Sequence, residues 1–249
     1  MATQWPNKSE RPQKARKTQQ LAGKVAVITG ASRGLGLELA REFVRQGARV
    51  VMSDIAHDEL HRVAAELGAQ AYIADVTNEQ AMFELAAFTK RTFGSLDLWV
   101  NNAGLWMPHC PIEQMSLDRV HRMVEVNLFG IIHGARAALA VMKPVRTGII
   151  INILSTSALI GRPGSSGYCA SKCAAMGFCK SLALEVADDG IVVYNIYPEG
   201  MQTKLFDEQR PQDYTDYLDP RVVAMKIMKN LSAKKPKGEF VIRRAKQKY

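Results

Sequence analysis

Tyr168 and Lys172 are the pair of residues whose types and spacing most directly suggest proton transfer. They lie four residues apart in a segment with a helical pattern, so both side chains emerge on one face. A tyrosine hydroxyl loses its proton near pH ~10, too high for a general base at neutrality, but a neighbouring ammonium group lowers that pKa. Ser155, at the end of a strongly apolar run, is placed to hydrogen-bond a substrate oxygen. A Tyr-x-x-x-Lys pair alone is common on helix surfaces, so its surroundings matter.

A glycine-rich segment follows the first apolar run and leads directly into a helical pattern. It consists of Thr29-Gly30-Ala31-Ser32-Arg33-Gly34-Leu35-Gly36. The missing side chains let backbone N–H groups approach a pyrophosphate, and the helix dipole favours its negative charge. The spacing is G-x3-G-x-G rather than the commoner G-x-G-x-x-G, and glycines also serve ordinary tight turns. Because a strand precedes the segment and a helix follows it, we predict a dinucleotide site with contacts from Gly30, Ser32, Arg33, Gly34, Leu35 and Gly36.

Two charged residues bear on which dinucleotide is bound. Asp54 ends the second predicted strand, where a carboxylate accepts hydrogen bonds from an adenosine ribose diol and repels a 2′-phosphate. The same residue also suits a helix N-cap or a turn. Arg33 acts in the opposite direction, since a guanidinium in the glycine loop can pair with a 2′-phosphate. We predict NAD as the cofactor and leave NADP open.

Short apolar runs alternate with amphipathic helical patterns along the chain. The patterns predict strands at 25–28, 49–52, 71–74, 96–100, 149–154 and 191–196, and a seventh, edge strand near residue 240. They predict helices after the glycine loop and at 57–67, 79–93, 117–142 and 167–187. This alternation indicates an α/β fold, a Rossmann-type doubly wound parallel sheet of about seven strands with helices on both faces. Ligands of such sheets bind at the carboxyl ends of the strands.

The composition limits the classes of protein to consider. With 47% hydrophobic residues in 249, the chain can bury a core and is not disordered. No uninterrupted apolar run approaches the ~18 residues of a membrane span, and no apolar segment follows the first charged residues. We therefore expect no transmembrane segment and a cytoplasmic location. The cysteines have no CxxC pair and no metal-ligand spacing with histidine, so we predict no metal site.

The net charge of +9 is concentrated at the two ends. Residues 1–20 carry +4 and residues 225–249 carry +8, which leaves a mildly acidic body. We predict a flexible basic arm at 1–22, one domain at 23–242 and a basic tail at 243–249. Basic ends can bind nucleic acid or anionic lipid, but these lack aromatic interleaving and any nucleic-acid motif. Solvated ends without a specific nucleic-acid partner are the favoured interpretation.

Taken together, the motifs resemble those of the single-domain branch of the short-chain dehydrogenase/reductase family. The resemblance runs from about residue 22 to residue 203 and depends on the order and spacing of the set. The matching residues are Thr29-Gly30-x3-Gly34-x-Gly36, Asp75-Val76, Asn101-Asn102-Ala103-Gly104, Asn127, Ser155 and Tyr168-x3-Lys172. Each motif is modest alone, but the ordered set is specific.

The resemblance implies a role for each residue. Tyr168 is the implied general acid/base, Ser155 orients the substrate oxygen, and Lys172 binds the nicotinamide ribose and lowers the pKa of Tyr168. Asn127 is implied to hold a water that links Lys172 to solvent. Further implied cofactor contacts come from Asp75, Val76, Asn102, Ala103, Gly104, Tyr168, Lys172, Pro198, Gly200 and Thr203. Relatives have Pro-Gly after the sixth strand, whereas here Glu199 separates the two residues, which puts the geometry of that loop in question. The family also implies a homodimer or homotetramer.

The loops after the fourth, fifth and sixth strands indicate the substrate. They are mostly apolar and aromatic, with Leu105, Trp106, Met107, His109, Cys110, Leu159, Ile160, Met201, Leu205 and Phe206, and Tyr214, Tyr217 and Leu218 form a candidate lid. We expect no Arg or Lys beside Ser155, and hence a hydrophobic or aromatic secondary alcohol or ketone. Packing of the lid against the body explains the same residues equally well. The alternative functions are a weakly catalytic dinucleotide-binding redox sensor or scaffold, and a nucleic-acid or membrane-surface binder.

Overall fold

Seven short runs form the strands of one parallel sheet in the computed structural model, which describes residues 21–244. They are β1 (Val25–Thr29), β2 (Arg49–Asp54), β3 (Gln70–Ile73), β4 (Leu98–Asn101), β5 (Gly148–Ile153), β6 (Ile191–Pro198) and β7 (Glu239–Ile242). Their order across the sheet is β3-β2-β1-β4-β5-β6-β7, and every neighbouring pair is parallel. The predicted doubly wound α/β fold is confirmed, including the edge strand β7.

The strands are connected by helices that cover both faces of the sheet. The helices are α1 (Gly34–Arg45), α2 (His57–Leu67), α3 (Glu79–Phe93), α4 (Leu117–Val124), α5 (Gly130–Met142), α6 (Ser166–Glu185) and α7 (Pro220–Leu231). A π-helical turn, Glu125–Phe129, joins α4 to α5. Helix α7 was not predicted, although Asp219 caps it by accepting a hydrogen bond from the Arg221 N–H at 2.8 Å and a proline follows the cap. An Asp-Pro start is a recognised signal for a helix N-terminus.

Successive side chains along each strand point to opposite faces of the sheet and pack into two separate hydrophobic cores. Ile28 of β1 packs into a core with α1, α2 and α7, whereas its neighbour Val27 packs into a core with α3, α5 and the end of α6. Both residues are fully buried. Because helices cover both faces of the sheet, every residue of the central strand β1 is buried. This explains why the first apolar run is continuous rather than alternating.

The point where the strand order reverses lies between β1 and β4. The chain moves outward from β1 to β3, then returns so that β4 pairs with the other edge of β1. The loops that leave β1 and β4 therefore turn to opposite faces of the sheet and leave a crevice at its carboxyl edge, which is where sheets of this type bind ligands. The glycine-rich segment and Asn102 lie at this crevice.

A row of buried amide side chains joins the strands just below the carboxyl edge. Asn101 donates to Asn152 at 2.9 Å, Asn152 donates to Asn195 at 3.0 Å, and Asn195 donates to Glu239 at 2.8 Å. These residues occupy the same register position on β4, β5, β6 and β7. Trp99 also donates its indole N–H to Asn101 at 2.7 Å. The row fixes four strands relative to one another beneath the loops that carry the site.

The ends of the described segment both belong to the folded body. The Leu21 N–H donates to the Gln46 carbonyl at 3.2 Å, and Leu21 packs against the core of α1. The folded body therefore begins before residue 23, so the predicted arm at 1–22 is too long at its inner end. Arg244 is likewise bound to Glu199 and Asp213, so the predicted tail begins inside the body. Residues 1–20 and 245–249 lie outside the described residues.

The helical stretch Leu117–Val145 is, by length and composition, the one described segment that could cross a membrane, with a mean hydropathy of 1.3 over an 18-residue window. In the structure it covers the sheet, with α5 packed against α3 and α4 packed against α6. The sequence expectation considered only uninterrupted apolar runs, whereas this stretch is interrupted by polar residues such as Asn127.

Candidate active site

A cavity of about 90 Å³ lies beside the carboxyl ends of β5 and β6. Ser155 and Tyr168 both line it, and the loop after β6 closes the opposite side. Its remaining walls come from Trp106, His109, Leu154, Thr156, Ser157, Arg162, Ser165, Pro198, Glu199, Gly200, Met201, Thr203, Leu205, Phe206, Tyr217 and Arg244. The exposed residues Leu159 and Ile160, expected to line the substrate site, lie outside it.

The glycine-rich segment forms a tight turn whose backbone conformation favours glycine at two positions. Gly30 and Gly34 have φ values of +63° and +56°, in the left-handed region. A Cβ on Gly36 would lie 2.2 Å from the carbonyl oxygen of Gly30, so the turn and the first helical turn press directly together. No side chain caps the N-terminus of α1, which follows Arg33. Its first backbone N–H groups are therefore available to an anion, as a pyrophosphate site requires.

The loop after β4 is held against the glycine turn. Asn102 donates its amide to the carbonyl oxygens of Thr29 and Gly30, both at 2.9 Å, and the Thr29 hydroxyl accepts the N–H groups of Asn102 and Ala103. The side chain of Asn102 therefore supports the turn rather than pointing freely into the crevice. Gly104 follows, and a Cβ there would lie 3.7 Å from the Lys172 ammonium nitrogen. The loop thus forms a floor between the two predicted parts of the site.

Asp54 lies at the end of β2, beside the glycine turn. Its carboxylate accepts the N–H and hydroxyl of Ser32, at 3.1 and 2.7 Å, and the N–H of Ala56 at 3.1 Å. A carboxylate has about four acceptor positions, so one remains for a further donor. Asp54 does not cap α2, whose N-cap residue is Ala56 with no side-chain cap, so of the alternative roles it has the turn role and not the cap role.

Two cations lie near the same end of the crevice. The pKa of Glu59 on α2 is lowered mainly by its hydrogen bond with Arg62, and the charges of Lys204 and Arg33 add to this effect. Arg33 is exposed. Arg33 directly follows Ser32, whose N–H and hydroxyl bind Asp54, so the residues behind the opposing predictions for NAD and NADP belong to the same turn.

Asp75 and Val76 follow β3 as predicted. Burial raises the pKa of Asp75, but hydrogen bonds from Thr77 and the ion pair with Arg122 outweigh it, so the pKa is lowered. Val76 is buried, and a Cβ on Gly130 would lie 2.8 Å from its methyl group. The segment is therefore fixed against the start of α5.

Tyr168 and Ser155 face each other inside the cavity. Burial raises the pKa of Tyr168 to about 12, while hydrogen bonding with the Ser155 side chain and the charge of Arg162 oppose the rise. The Ser155 hydroxyl also accepts the Ser157 N–H at 3.0 Å, which fixes its position at the end of β5. The phenol is therefore protonated at neutral pH in this structure.

Lys172 lies one helical turn after Tyr168 and is only 4% exposed. Its ammonium nitrogen is 6.0 Å from the centre of the Tyr168 ring and donates to the Ile153 carbonyl at 3.3 Å. Burial lowers the pKa of Lys172 to about 8, partly opposed by the Cys179 thiol. The two side chains are therefore neighbours on one face of α6, and their catalytic role stays a prediction.

Asn127 lies within the π-helical turn between α4 and α5. Its side-chain oxygen accepts the Leu105 N–H at 2.8 Å, and its amide donates to the Leu105 carbonyl at 2.8 Å and to Ser171 at 3.0 Å. These contacts fix the loop after β4 against α6. The implied water between Lys172 and solvent stays a prediction.

The loop after β6 connects the two halves of the site. A Cβ on Gly200 would lie 2.4 Å from the Tyr217 ring, and the Thr203 side chain lies against Gly34 of the glycine turn. Pro198 ends β6 and lines the cavity. Glu199, the departure from the family pattern, accepts the Arg244 N–H at 2.9 Å. The unusual residue thus binds the chain that follows β7.

Two arginines in the cavity wall were missed by the sequence analysis. The expectation that no Arg or Lys lies beside Ser155 is wrong, because Arg162 donates to the hydroxyl of the adjacent Thr156 at 3.3 Å. Arg244 lines the same cavity. The position of Arg162 between Ser155 and Tyr168 in the sequence was the available signal. Among residues 21–244, no three His, Cys, Asp or Glu side chains are grouped as metal ligands.

The geometry defines a class of protein. One end of the crevice presents a free helix N-terminus and a ribose-competent carboxylate, which fits a dinucleotide, and the other presents a hydroxyl, a phenol and a buried ammonium group. Together they are suited to redox chemistry at an alcohol or carbonyl carbon.

Comparison with known proteins agrees with this class. The family model described as short chain dehydrogenase matches residues 24–214, and the chain belongs to that family. It is 40% identical over 190 residues to a 3-alpha-(or 20-beta)-hydroxysteroid dehydrogenase of Mycobacterium bovis, covering 76% of this chain and 73% of that protein. It is 36% identical to a D-beta-hydroxybutyrate dehydrogenase of Rhizobium meliloti, over 76% of this chain and 75% of that one.

A solved structure extends the similarity to three dimensions. The crystal structure of 3-ketoacyl-(acyl-carrier-protein) reductase from Brucella melitensis, complexed with NADH, superposes with a TM-score of 0.84 at 29% identity. The match covers 90% of this chain and 98% of that one. The chain is thus an NAD(P)-dependent oxidoreductase that acts on CH–OH groups and the corresponding carbonyl groups.

Proposed function

We propose that the protein interconverts a secondary alcohol and a ketone with Tyr168 as the general acid/base. The observation that carries the proposal is the placement of Ser155 and Tyr168 in the cavity wall, with the buried ammonium nitrogen of Lys172 6.0 Å from the centre of the Tyr168 ring. Ser155 donates a hydrogen bond to the substrate oxygen, and Tyr168 exchanges a proton with that oxygen. When bound, the nicotinamide supplies the hydride acceptor or donor. Lys172 binds its ribose and holds positive charge near the phenol.

The protonated state of Tyr168 suits the reduction of the ketone rather than the oxidation of the alcohol. With a pKa of about 12, the phenol carries its proton at neutral pH. It can donate this proton to the oxygen of a carbonyl group that is being reduced. The reverse direction needs the phenolate, which nearby positive charge stabilises. Lys172, with a pKa of about 8, remains mostly protonated at pH 7 and supplies such a charge.

The proposal is tested by following deuterium from NADH labelled at both hydrogens of the nicotinamide C4 into the alcohol formed from a ketone. Mass spectrometry of the alcohol should show one deuterium per molecule at the carbinol carbon. Ser155→Ala should lower the rate about a hundredfold, whereas Ser157→Ala, two residues away on the same wall, should lower it far less. Consumption of NADH without label in the alcohol would overturn the proposal.

An apolar and aromatic wall supports a substrate with a hydrophobic body. Phe206 lies at the centre of an aromatic cluster, 4.9 Å from Trp106 and 5.4 Å from Tyr217 between ring centres. In a substrate screen, a polar sugar with the highest kcat/KM would contradict this proposal.

For the cofactor, we propose NAD because Asp54 keeps one acceptor position beside the glycine turn. Fluorescence titration with NADH and NADPH provides the test. Asp54→Ala should weaken NADH binding about tenfold through loss of charged hydrogen bonds. The ratio of the dissociation constants for NADPH and NADH should therefore fall. Asp58→Ala, an exposed carboxylate four residues further on, is the matched control and should change neither. Tighter binding of NADPH to the unsubstituted protein would show that Arg33 outweighs Asp54.

Two further expectations remain proposals. We propose a homodimer or homotetramer, by resemblance to the family, and sedimentation velocity of the full-length chain measures it directly; a single monomeric species would contradict it. We also propose a cytoplasmic location, for which cell fractionation with an antibody to the chain is the test.

A further inference from the structure

Arg162 is an exposed residue in the wall of the cavity that Ser155 and Tyr168 also line. One guanidinium nitrogen donates to the Thr156 hydroxyl at 3.3 Å, and Thr156 directly follows Ser155 in the chain. The charge of Arg162 opposes the rise in the pKa of both Tyr168 and Tyr217, which lie on two walls of the same cavity. The guanidinium is therefore held on the wall near the reacting groups rather than extending away from them.

The two arginines of this cavity differ in how their charges are balanced. Arg244 is 3.0 Å from an Asp213 oxygen and 3.5 Å from a Glu199 oxygen. Arg162, by contrast, has no carboxylate within 4.0 Å among residues 21–244, and its one side-chain hydrogen bond there is to a neutral hydroxyl. One guanidinium is thus neutralised by the protein, and the other presents an uncompensated positive charge to the cavity.

The geometry of a guanidinium defines the group it would bind. It has five N–H donors in one plane, of which the Thr156 contact uses one, and a planar carboxylate can accept two of the others side by side. Glu199 is the one acidic residue among those that line the cavity, and its carboxylate is already bound by Arg244. An anion is therefore favoured on the Arg162 side.

We propose that Arg162 binds a carboxylate of the substrate, which makes the substrate a keto acid or the corresponding hydroxy acid with an apolar body. The inference rests on the proposed function for the position of the reacting carbon at Ser155 and Tyr168. It also corrects the expectation of a neutral hydrophobic substrate. The aromatic wall holds the body of the molecule, and Arg162 distinguishes acids from neutral ketones of the same shape.

A matched pair of compounds tests the charge alone. 4-Acetylbenzoate and 4-acetylbenzamide share their ring and their ketone and differ in the charge of one group. Calorimetric titration of each into the full-length protein, saturated with the oxidised form of whichever cofactor it binds so that neither ketone is reduced, gives two dissociation constants. The acid should bind roughly tenfold or more tightly than the amide, as expected for charge-assisted hydrogen bonds.

Variants assign the preference to one residue. Arg162→Met should bring the ratio of the two dissociation constants close to one, and Arg162→Lys should retain part of it because the charge remains. Arg91→Met is the control: this exposed arginine on α3 does not line the cavity, and its removal should leave the ratio unchanged. Because Arg162 is exposed, its substitution leaves the core intact.

The outcomes separate this inference from the proposed function. An acid preference that is lost in Arg162→Met supports the carboxylate site, whether or not the compound is reduced. Equal affinity for acid and amide, no measurable acid binding, or a preference that survives in Arg162→Met would overturn the site. Reduction of neutral ketones together with equal affinity for acid and amide would overturn the carboxylate site at Arg162 but would leave the proposed oxidoreductase function in place.

Discussion

Replacement of Lys172 by methionine is expected to make the protein inactive and more stable at pH 7. The Lys172 ammonium group is buried beneath Tyr168, where its hydrogen bond to the Ile153 carbonyl is long, at 3.3 Å. Burial therefore disfavours its charged form, which is why its pKa falls from 10.5 to about 8. A methionine of similar length removes the buried charge, and with it the positive group that assists the phenol.

The size of the effect follows from the pKa. A fall from 10.5 to about 8 corresponds to about 3 kcal/mol, at about 1.4 kcal/mol for each factor of ten. Loss of the hydrogen bond to the Ile153 carbonyl destabilises the variant by about 1 to 2 kcal/mol and so offsets part of this gain. The variant should therefore be more stable than the unsubstituted protein by about 1 to 2 kcal/mol at pH 7.

The pH dependence has a definite sign. Below pH 8, Lys172 is protonated in both the folded and the unfolded chain, and the folded state carries the whole cost of burial. Between pH 8 and pH 10.5 the unfolded chain binds a proton that the folded chain has lost, so the stability of the unsubstituted protein rises relative to the variant. Above this window the burial cost disappears.

Urea denaturation of the cofactor-free protein at several pH values measures this difference. The stability of Lys172→Met relative to the unsubstituted protein should change by about 3 kcal/mol between pH 7 and pH 10.5, so that the variant becomes the less stable of the two by about 1 to 2 kcal/mol. Lys180→Met, an exposed lysine on the same helix, should show no such change. A difference between Lys172→Met and the unsubstituted protein that stays constant across the window would refute the buried-charge argument.

Three further predictions test other parts of the site. Gly36→Ala should abolish measurable NADH binding in a fluorescence titration, since the new Cβ would lie 2.2 Å from the Gly30 carbonyl oxygen, whereas Gly177→Ala, with no atom within 4 Å, should bind normally. Asn152→Ala breaks the middle of the buried amide row and should lower the free energy of unfolding by about 2 to 3 kcal/mol; a loss below about 0.5 kcal/mol would contradict its role. Arg244→Ala frees two carboxylates at the lid and should raise KM for a neutral ketone about fivefold with a smaller change in kcat; an unchanged KM would contradict the lid contact.

Much of the fold could be predicted because periodicity is local. The α2 and α3 bounds match the predicted 57–67 and 79–93, since both helices carry one apolar face and end at a glycine. The predicted helix at 117–142 is interrupted in the structure by the π-helical turn at Asn127. That turn arises from contacts with Leu105 and Ser171, which are distant in sequence, so no periodic pattern could reveal it.

In the candidate site, too, some positions could be predicted from local sequence and others depended on tertiary contacts. Residues that directly follow strands could be predicted to meet, because the carboxyl ends of parallel strands share one edge. Arg162 lies instead in an irregular loop between β5 and α6, which turns at Gly164 with φ +69°. Only the path of that loop brings the guanidinium back to Thr156, so its place in the cavity wall depended on tertiary structure.

The most direct test of the account is the turnover of a ketone by Tyr168→Phe. The phenylalanine keeps the ring and removes only the hydroxyl, and the dissociation constant for NADH, measured in parallel, establishes that the cofactor site is intact. The account predicts a fall in kcat of about 10² to 10⁴, the usual contribution of a positioned general acid, with cofactor binding unchanged within about twofold. A kcat within about threefold of the unsubstituted protein would contradict the assignment of Tyr168 as the acid/base.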